Sequence, residues 1–235
     1  NLTRAGASQL ERPAQPGWLW HGLHPKLVDG FTFTMPDTPD NQAAFPQQKV
    51  QRPGAGFPIA RACVVLSLAT AAIHDARIGP YAGKQTGETA LLRGMLDSLQ
   101  PGDVAVFDRC FCGYLMLAML QQRGVPFCAR LHQRRPIDFR RGRRLGPDDH
   151  LVTWTRPKRP EWMTQEDYDR IPETLTLREV RCHVTEPNRR TTPLVAVTDL
   201  TDPDAWPLEA IADLYGYRWN AELDIRDIKQ TLGLD

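Results

Sequence analysis

Near the C-terminal end of the chain, Tyr215, Arg218, Glu222, Arg226 and Lys229 follow one another at intervals of three, four, four and three residues. On a helix these five polar side chains share an arc of about 80°. Leu214, Ala221, Ile225, Ile228 and Leu232 form an apolar seam directly beside that arc, while Asn220, Asp224 and Asp227 turn away from it. One acid among three bases beside a buried seam suits a site for a metal and a phosphate. The carboxylate offers oxygen to a hard cation, and the guanidinium and ammonium groups grip phosphate oxygens. A plainly solvated helix would use the same residues only for an Arg218 to Glu222 pair. Two further acids stand out by position. Asp29 lies in an apolar stretch and is followed by Gly30; a carboxylate there needs pairing or a metal, unless it is a strand-edge acid facing water. Asp108 ends the apolar run Val104 to Phe107, where α/β sheets place their ligand sites, or where it would cap a following helix.

The elements that must position these groups follow from periodicity. Lys26 to Met35 alternates and is rich in β-branched and aromatic residues, which predicts a strand. Residues 36–57 carry Pro, Gly, Asn and Gln and predict a long loop. Strands are expected at Ala62 to Leu68 and Ile73 to Ile78, and an amphipathic helix over Gly87 to Leu99, from the spacing of Leu91, Leu92, Met95, Leu96 and Leu99. Val104 to Phe107 reads as a buried strand, Tyr114 to Arg123 as a helix and Pro126 to Leu131 as a strand. Strand-like pieces recur at Leu151 to Thr155, Leu175 to Val184 and Leu194 to Leu200, before the long helical pattern of Pro207 to Leu232. This order predicts an α/β fold with a mixed sheet flanked by helices. Residues 1–25 show neither period and read as a lead-in from a missing N-terminal region of a longer protein.

The spacing Tyr215-x2-Arg218-x3-Glu222-x6-Lys229 matches, at every interval, the Tyr-Arg-Glu-Lys signature of bacterial insertion-sequence transposases of the insertion-sequence-four type. Val28-Asp29-Gly30 through Pro36-Asp37-Thr38-Pro39-Asp40-Asn41 resembles that family's first catalytic motif. Phe107-Asp108-Arg109 with Phe111-Cys112 resembles its second. Glu88 resembles a recurrent family position at the start of a helix, where capping or pairing with the helix dipole also accounts for it. The resemblance runs from about Lys26 to the end of the chain. It implies a ribonuclease-H-like, retroviral-integrase-like core over residues 26–130 and 193–235, with a β-rich insertion over 131–192 before the last catalytic helix. It also implies that Asp29, Asp108 and Glu222 are the catalytic, metal-binding carboxylates, with Mg2+, or Mn2+ in its place, as cofactor. Two such ions about 4 Å apart would activate water and then a 3'-hydroxyl for in-line attack on a DNA phosphodiester. Arg218 and Lys229 would contact phosphates, and Tyr215 would hydrogen-bond a phosphate or stack on a displaced base. The implied partners are double-stranded DNA, as element ends and target, and a second copy of the chain. At one position the sequence departs from the family: Cys110 stands where glycine usually follows the Asp-Arg pair. A left-handed backbone there would be strained in cysteine.

Composition sets the outer bounds. Lys+Arg 29 against Asp+Glu 28 gives a net charge of +1, with 41% hydrophobic and 24% charged residues: an ordinary globular chain whose case for nucleic acid rests on local clustering. That cluster is Arg130 to Arg144, seven arginines in fifteen residues. Arg134, Arg135, Arg140, Arg141, Arg143 and Arg144 are its candidate DNA contacts, against a solvated loop with no partner. Trp154 and Trp162 nearby pack the insertion or wedge a base. No apolar run reaches the roughly 18–20 residues of a membrane helix, so no membrane partner is expected. Five scattered cysteines, without a secretory signal, point to reducing cytoplasm; the resemblance implies that of a bacterium, with the nucleoid as the place of work. Cys110-x-Cys112 has the wrong spacing for zinc, and His132, His150 and His183 lack ligand spacing. The function implied is divalent-metal-dependent DNA cleavage and strand transfer. A ribonuclease-H-like nuclease without strand transfer and a catalytically inactive DNA-binding remnant are the alternatives.

Overall fold

The computed structural model describes residues 2–11, 16–48, 52, 54, 56–184 and 192–233, the side chains of 2, 16, 184, 192, 219–229 and 232 excepted. Its frame is one nine-stranded sheet made of β1 (His24–Thr34), β2 (Ile59–Ser67), β3 (Ile73–Pro80), β4 (Asp103–Phe107), β5 (Phe127–Arg130), β6 (Arg143–Gly146), β7 (Asp149–Thr155), β8 (Thr174–Val184) and β9 (Thr192–Thr198). The order is β3-β2-β1-β4-β5-β9-β8-β7-β6. β4 runs parallel to both β1 and β5, and every other neighbouring pair is antiparallel. The sheet is mixed for a simple reason: hairpins make β1-β2-β3, whereas β4 and β5 return to the middle through helices.

Alternation along the central strands sorts the core into two layers. Val28 and Phe107 turn to the face covered by α3 (Glu88–Arg93) and α4 (Tyr114–Gln122), where they pack with Leu92, Met95, Phe111 and Leu117. Val104 and Val106 turn to the other face, under Ile211, Leu214 and Tyr215 of α6 (Leu208–Leu232). The sheet is therefore flanked by helices on both sides, as the sequence predicts. Beyond β5, strands β6 to β8 extend the same sheet, joined to it through β9. A short helix, α5 (Gln165–Arg170), is capped by the Thr164 hydroxyl, which accepts from Asp167 N at 3.1 Å. No helix among the described residues is long and apolar enough to cross a membrane.

Three segments differ from the expectation. The supposed lead-in contains α1 (Leu2–Glu11). Among its described side chains only the small Ala7 is buried, and the helix is anchored by charge. Within residues 36–57, Thr38 caps α2 (Pro39–Ala44), with Pro39 at the first helical position, where a missing N–H costs nothing. The helix expected over Gly87 to Leu99 stops at Arg93 and Gly94, and a 3₁₀ turn at Leu96–Ser98 carries the remaining apolar residues.

The anchor of α1 is a buried network. Lys26 is 1% exposed; its Nζ donates to Glu11 Oε1, stands 2.9 Å from His74 Nε2 and 3.7 Å from Asp103 Oδ1. Arg4 closes the far end on Asp75. Burial pushes the Glu11 carboxyl up, but its contacts with His74 and Lys26 outweigh it and hold the group at about 2, against the usual 4.5. A depressed carboxylate stabilises the fold above its unfolded value and loses that contribution as pH falls. We expect Glu11→Gln to cost about 2 kcal/mol at pH 7 and almost nothing near pH 2, with most of the difference disappearing between pH 4.5 and 2. Urea melts across that range check it; equal losses at both ends would rule out the ionised network.

Candidate active site

The geometry starts from the parallel β1/β4 pair, in which Val28 is aligned with Phe107. The next residues are Asp29 and Asp108, so the register alone sets the two carboxylates side by side at the C-terminal end of β4. Val28 and Phe107 face α3 and α4, so alternation turns both aspartates toward α6. Asp29 Oδ1 accepts from its neighbour Gly30 N at 2.8 Å, and its Oδ2 lies 3.7 Å from Arg218 Nη2. The Arg218 side chain, 9% exposed, thus offsets a half-buried charge on Asp29. Asp108 is half-buried, and its Oδ1 is out of contact with water and without a hydrogen-bond partner among the described residues. An anionic oxygen left that way is costly in a purely structural role.

Tyr215 and Arg218 do not occupy a polar face beside a seam, as the helical wheel suggests. They are themselves inward, Tyr215 wholly buried and Arg218 8% exposed. The Tyr215 ring is packed in the core with Ile211 and Leu214, so stacking on a displaced base is closed to it. Only its hydroxyl, buried and unpartnered among the described residues, points to polar chemistry. Burial pushes that phenol well above its usual range, with the Arg218 charge opposing and the Asp108 charge adding. The backbone of α6 carries Glu222, Arg226 and Lys229, and the seam residues Ala221, Ile225, Ile228 and Leu232, but their side chains lie outside the described residues.

Glu88 joins the cluster from the opposite face. A Cβ on Gly30 would overlap Cγ and Cδ of Glu88 and lie 2.9 Å from its Oε1. Gly30 is thus glycine because the Glu88 side chain fills the space a methyl group would take. Cys110 Sγ is 3.5 Å from Glu88 Oε2. Crowding that desolvates the sulfur, then the charges of Glu88, Asp108 and Asp29, push this thiol up. Buried Cys63 is pushed up by burial and then by Glu88 and Asp29. Three carboxylates therefore act on the Cys110 sulfur. The sequence offers only a weak signal for this, an acid at a helix start, because Gly30 is remote in the chain. Cys110 is not among the non-glycine residues with positive φ, which among the described residues are His21, Ala71 and Gln85. The strain expected of it does not arise. Among the described residues no three His, Cys, Asp or Glu side chains form a ready metal cage.

The arginine run is divided. Arg134, Arg140, Arg141, Arg143 and Arg144 are at least partly exposed, whereas Arg135 lies over the Trp154 ring at 3.4 Å. Arg140 grips Asp138 through Nε at 2.8 Å and Nη2 at 3.1 Å. Trp154 Nε1 donates to Glu179 Oε1 at 3.0 Å, and His150 Nε2 is 3.0 Å from Glu179 Oε2. Trp154 is thus packed and hydrogen-bonded. Arg109, next in sequence to Asp108, lines a hollow of about 400 Å³ together with Arg130, Arg135 and Arg181. Arg181 escapes sequence reading because it is brought there by β8, far along the chain.

The chain is similar to known transposases. A family model described as a transposase DDE domain matches residues 24–235. The transposase InsG for insertion sequence element IS4 of Escherichia coli (strain K12) is 29% identical over 235 residues, covering 96% of this chain and 48% of that protein. The putative transposase InsZ of the same organism is 28% identical over 107 residues, 45% of this chain and 34% of that protein. The chain spans about half the length, or less, of these curated relatives. Among solved structures, the catalytic domain of human Endonuclease V aligns over 100% of this chain and 97% of its own, at 13% identity and a TM-score of 0.35. An overlap that small carries no argument.

Proposed function

Because the chain belongs to the transposase DDE domain family, of the IS4 type, we propose that it is the catalytic core that cleaves element ends and joins them to target DNA. The observation that carries this reading is the side-by-side placement of Asp29 and Asp108 at the end of β4, with an unpartnered Asp108 oxygen among the described residues. The strand order β3-β2-β1-β4-β5, with β2 alone antiparallel to its neighbours, supports a ribonuclease-H-like core. β6 to β8 then correspond to the β-rich insertion. The unstrained turn at Cys110 favours a working second motif over an inactive remnant.

The donor set is all oxygen, which suits a hard divalent cation. Asp29 and Asp108 would hold it together with Glu222 from α6. Bound there, Mg2+ or Mn2+ supplies an activated oxygen nucleophile and charge stabilisation at the leaving oxygen. The chain's own residues do the rest. Arg218 pairs with the Asp29 carboxylate before DNA binds, and its guanidinium would pass to a phosphate oxygen when substrate arrives. Lys229 adds a point charge further along the helix. Double-stranded DNA is the substrate, with two copies of the chain pairing its ends.

The test is strand transfer of a labelled, pre-cut element end into plasmid in Mn2+. Joined product is expected. Hydrolysis without joining would mark a nuclease, and neither product, from folded protein, would sink the catalytic reading. The exposed arginines give a second expectation. Replacing Arg143 and Arg144 by alanine should weaken DNA binding for all sequences alike. It should also flatten the dependence of log affinity on log salt, by about 1 for every phosphate the two side chains neutralise. An unchanged slope in a binding assay at several salt concentrations would remove them from the interface.

A further inference from the structure

The two aspartates have a cationic neighbour at the same end of the sheet. Val28, Phe107 and Ala129 form one row across β1, β4 and β5, so the next row is Asp29, Asp108 and Arg130. Neighbouring strands stand about 4.8 Å apart, and Arg130 comes two residues after Cys128, which belongs to the core layer under α6. Arg130 is therefore one strand from Asp108 and on the same face. Both are within electrostatic reach of the Tyr215 phenol, which burial pushes up, Asp108 pushes further and Arg130 draws back. More positive charge gathers beyond it. Arg109 Nη1 donates to Gln133 Oε1 at 2.8 Å, tying together the segments that follow β4 and β5. Arg181 reaches in from β8, over the Phe139 ring at 4.8 Å. With Arg135 these three line the 400 Å³ hollow, over a floor that includes Leu131, Ile137 and Val195, and no acid lines it among the described residues. Of the four arginines, Arg181 alone has an ion pair among the described residues, to Asp148 Oδ1 at 2.8 Å. Guanidinium groups gathered over an apolar floor repel one another and attract an anion more strongly than they would in open water.

We propose that this hollow is a phosphate-backbone site for duplex DNA, in which Arg109, Arg130 and Arg181 hold phosphates next to the one brought to Asp29 and Asp108. The proposal rests on the reading of the chain as a core that acts on DNA. A lone phosphate ion would leave most of such a space empty, whereas a run of backbone, with its sugars against Leu131, Ile137 and Val195, fills it. Arg109 and Arg130 come from the strands that carry or adjoin the aspartates, and Arg181 comes from the outer strands. DNA lying in the hollow therefore fastens the outer strands to the site, and Asp148 competes with it for Arg181.

The experiment measures binding of a labelled duplex to the full chain, without divalent metal, at several salt concentrations. Wild type is compared with Arg130→Gln, Arg181→Gln, Asp148→Asn and the Asp148→Asn/Arg181→Gln pair, with thermal melts alongside. Arg170→Gln, an exposed arginine of α5 outside the hollow, is the control for loss of charge. Arg130→Gln and Arg181→Gln should each flatten the dependence of log affinity on log salt by about 1. They should do so for unrelated sequences alike, because phosphate contacts carry no sequence information. Asp148→Asn frees Arg181 and should tighten binding severalfold, a gain that should vanish in the pair. Arg170→Gln should leave the slope where it is. If the two arginine variants melt as wild type does and keep its slope, the DNA reading stands and the hollow is overturned as its site. The same holds if Asp148→Asn gains as much without Arg181 as with it, a comparison that still decides should Arg130→Gln fail to fold. Inorganic phosphate should not displace the duplex at equal phosphate concentration; displacement would assign the hollow to a free anion and overturn the proposal. If wild type binds no duplex, the DNA reading fails and takes the proposal with it.

Discussion

Asp108→Asn is expected to abolish DNA cleavage and joining while leaving the protein folded. The replacement keeps the shape of the side chain and removes only its charge and one acceptor oxygen. Oδ1 has no hydrogen-bond partner among the described residues, so little native bonding is lost. The like charge of Asp29, set beside it by the β1/β4 register, also becomes easier to accommodate. Stability should hold or rise by about 1 kcal/mol, as is common when a strained functional group is removed. Activity should fall about a thousandfold or more, beyond the 10–100-fold typical of groups one step removed from a metal. Strand transfer measured beside a thermal melt separates the two effects. A variant that loses activity only in proportion to a lost fold would show Asp108 to be architectural.

The second large effect lies away from the carboxylates. Arg178 of β8 is wholly buried and binds Asp149 of β7 through Nε at 2.8 Å and Nη2 at 2.5 Å. Its Nη1 donates to the carbonyl of Trp206 at 2.6 Å. Trp206 in turn stacks on Trp20, ring centroids 5.0 Å apart. One guanidinium therefore fastens the outer strands to the segment that leads into α6. Arg178→Ala leaves the Asp149 carboxylate and a carbonyl buried without their donor, a loss of about 3–5 kcal/mol. That is a large share of the roughly 5–15 kcal/mol that holds a typical domain folded. We expect a drop in melting temperature of about 10 °C, and reduced DNA cleavage even below that temperature, because α6 loses its entry anchor. Arg178→Leu with Asp149→Leu should recover most of the stability, as apolar pairs often replace buried ion pairs at little cost. Thermal melts of the single and double variants decide it. A double variant no better than the single would mean that the carbonyl of Trp206, rather than the charge pair, sets the loss.

Elements whose signal is carried by their own residues were legible in the sequence. Val104 to Phe107 is a continuous apolar run and forms β4, with Asp108 at its end. The spacing of Tyr215, Arg218, Glu222 and Lys229 lies on α6. What escaped was written in pairs distant along the chain. α1 is fixed by Glu11 on Lys26 and Arg4 on Asp75, charges that on a helix wheel read as solvent-facing. Glu88 passes for a helix-start acid until Gly30 is brought beneath it. Tyr215 reads as polar by type, yet its ring is core and only its oxygen is polar. A buried Arg178 is invisible without Asp149. Local period reports which face of an element is apolar; it does not report which charges have been given a buried partner.

The placement of β9 has a consequence for timing. It pairs with β5 on one side and β8 on the other, so β8 and β5 can be joined through it only after everything between them has been made. α6 then lies on the sheet that this closure completes, against Val104, Cys128 and Ala196. A ribosome delivers the two aspartates early and the helix with Glu222 well after them. The site proposed above therefore cannot be complete until translation has passed α6.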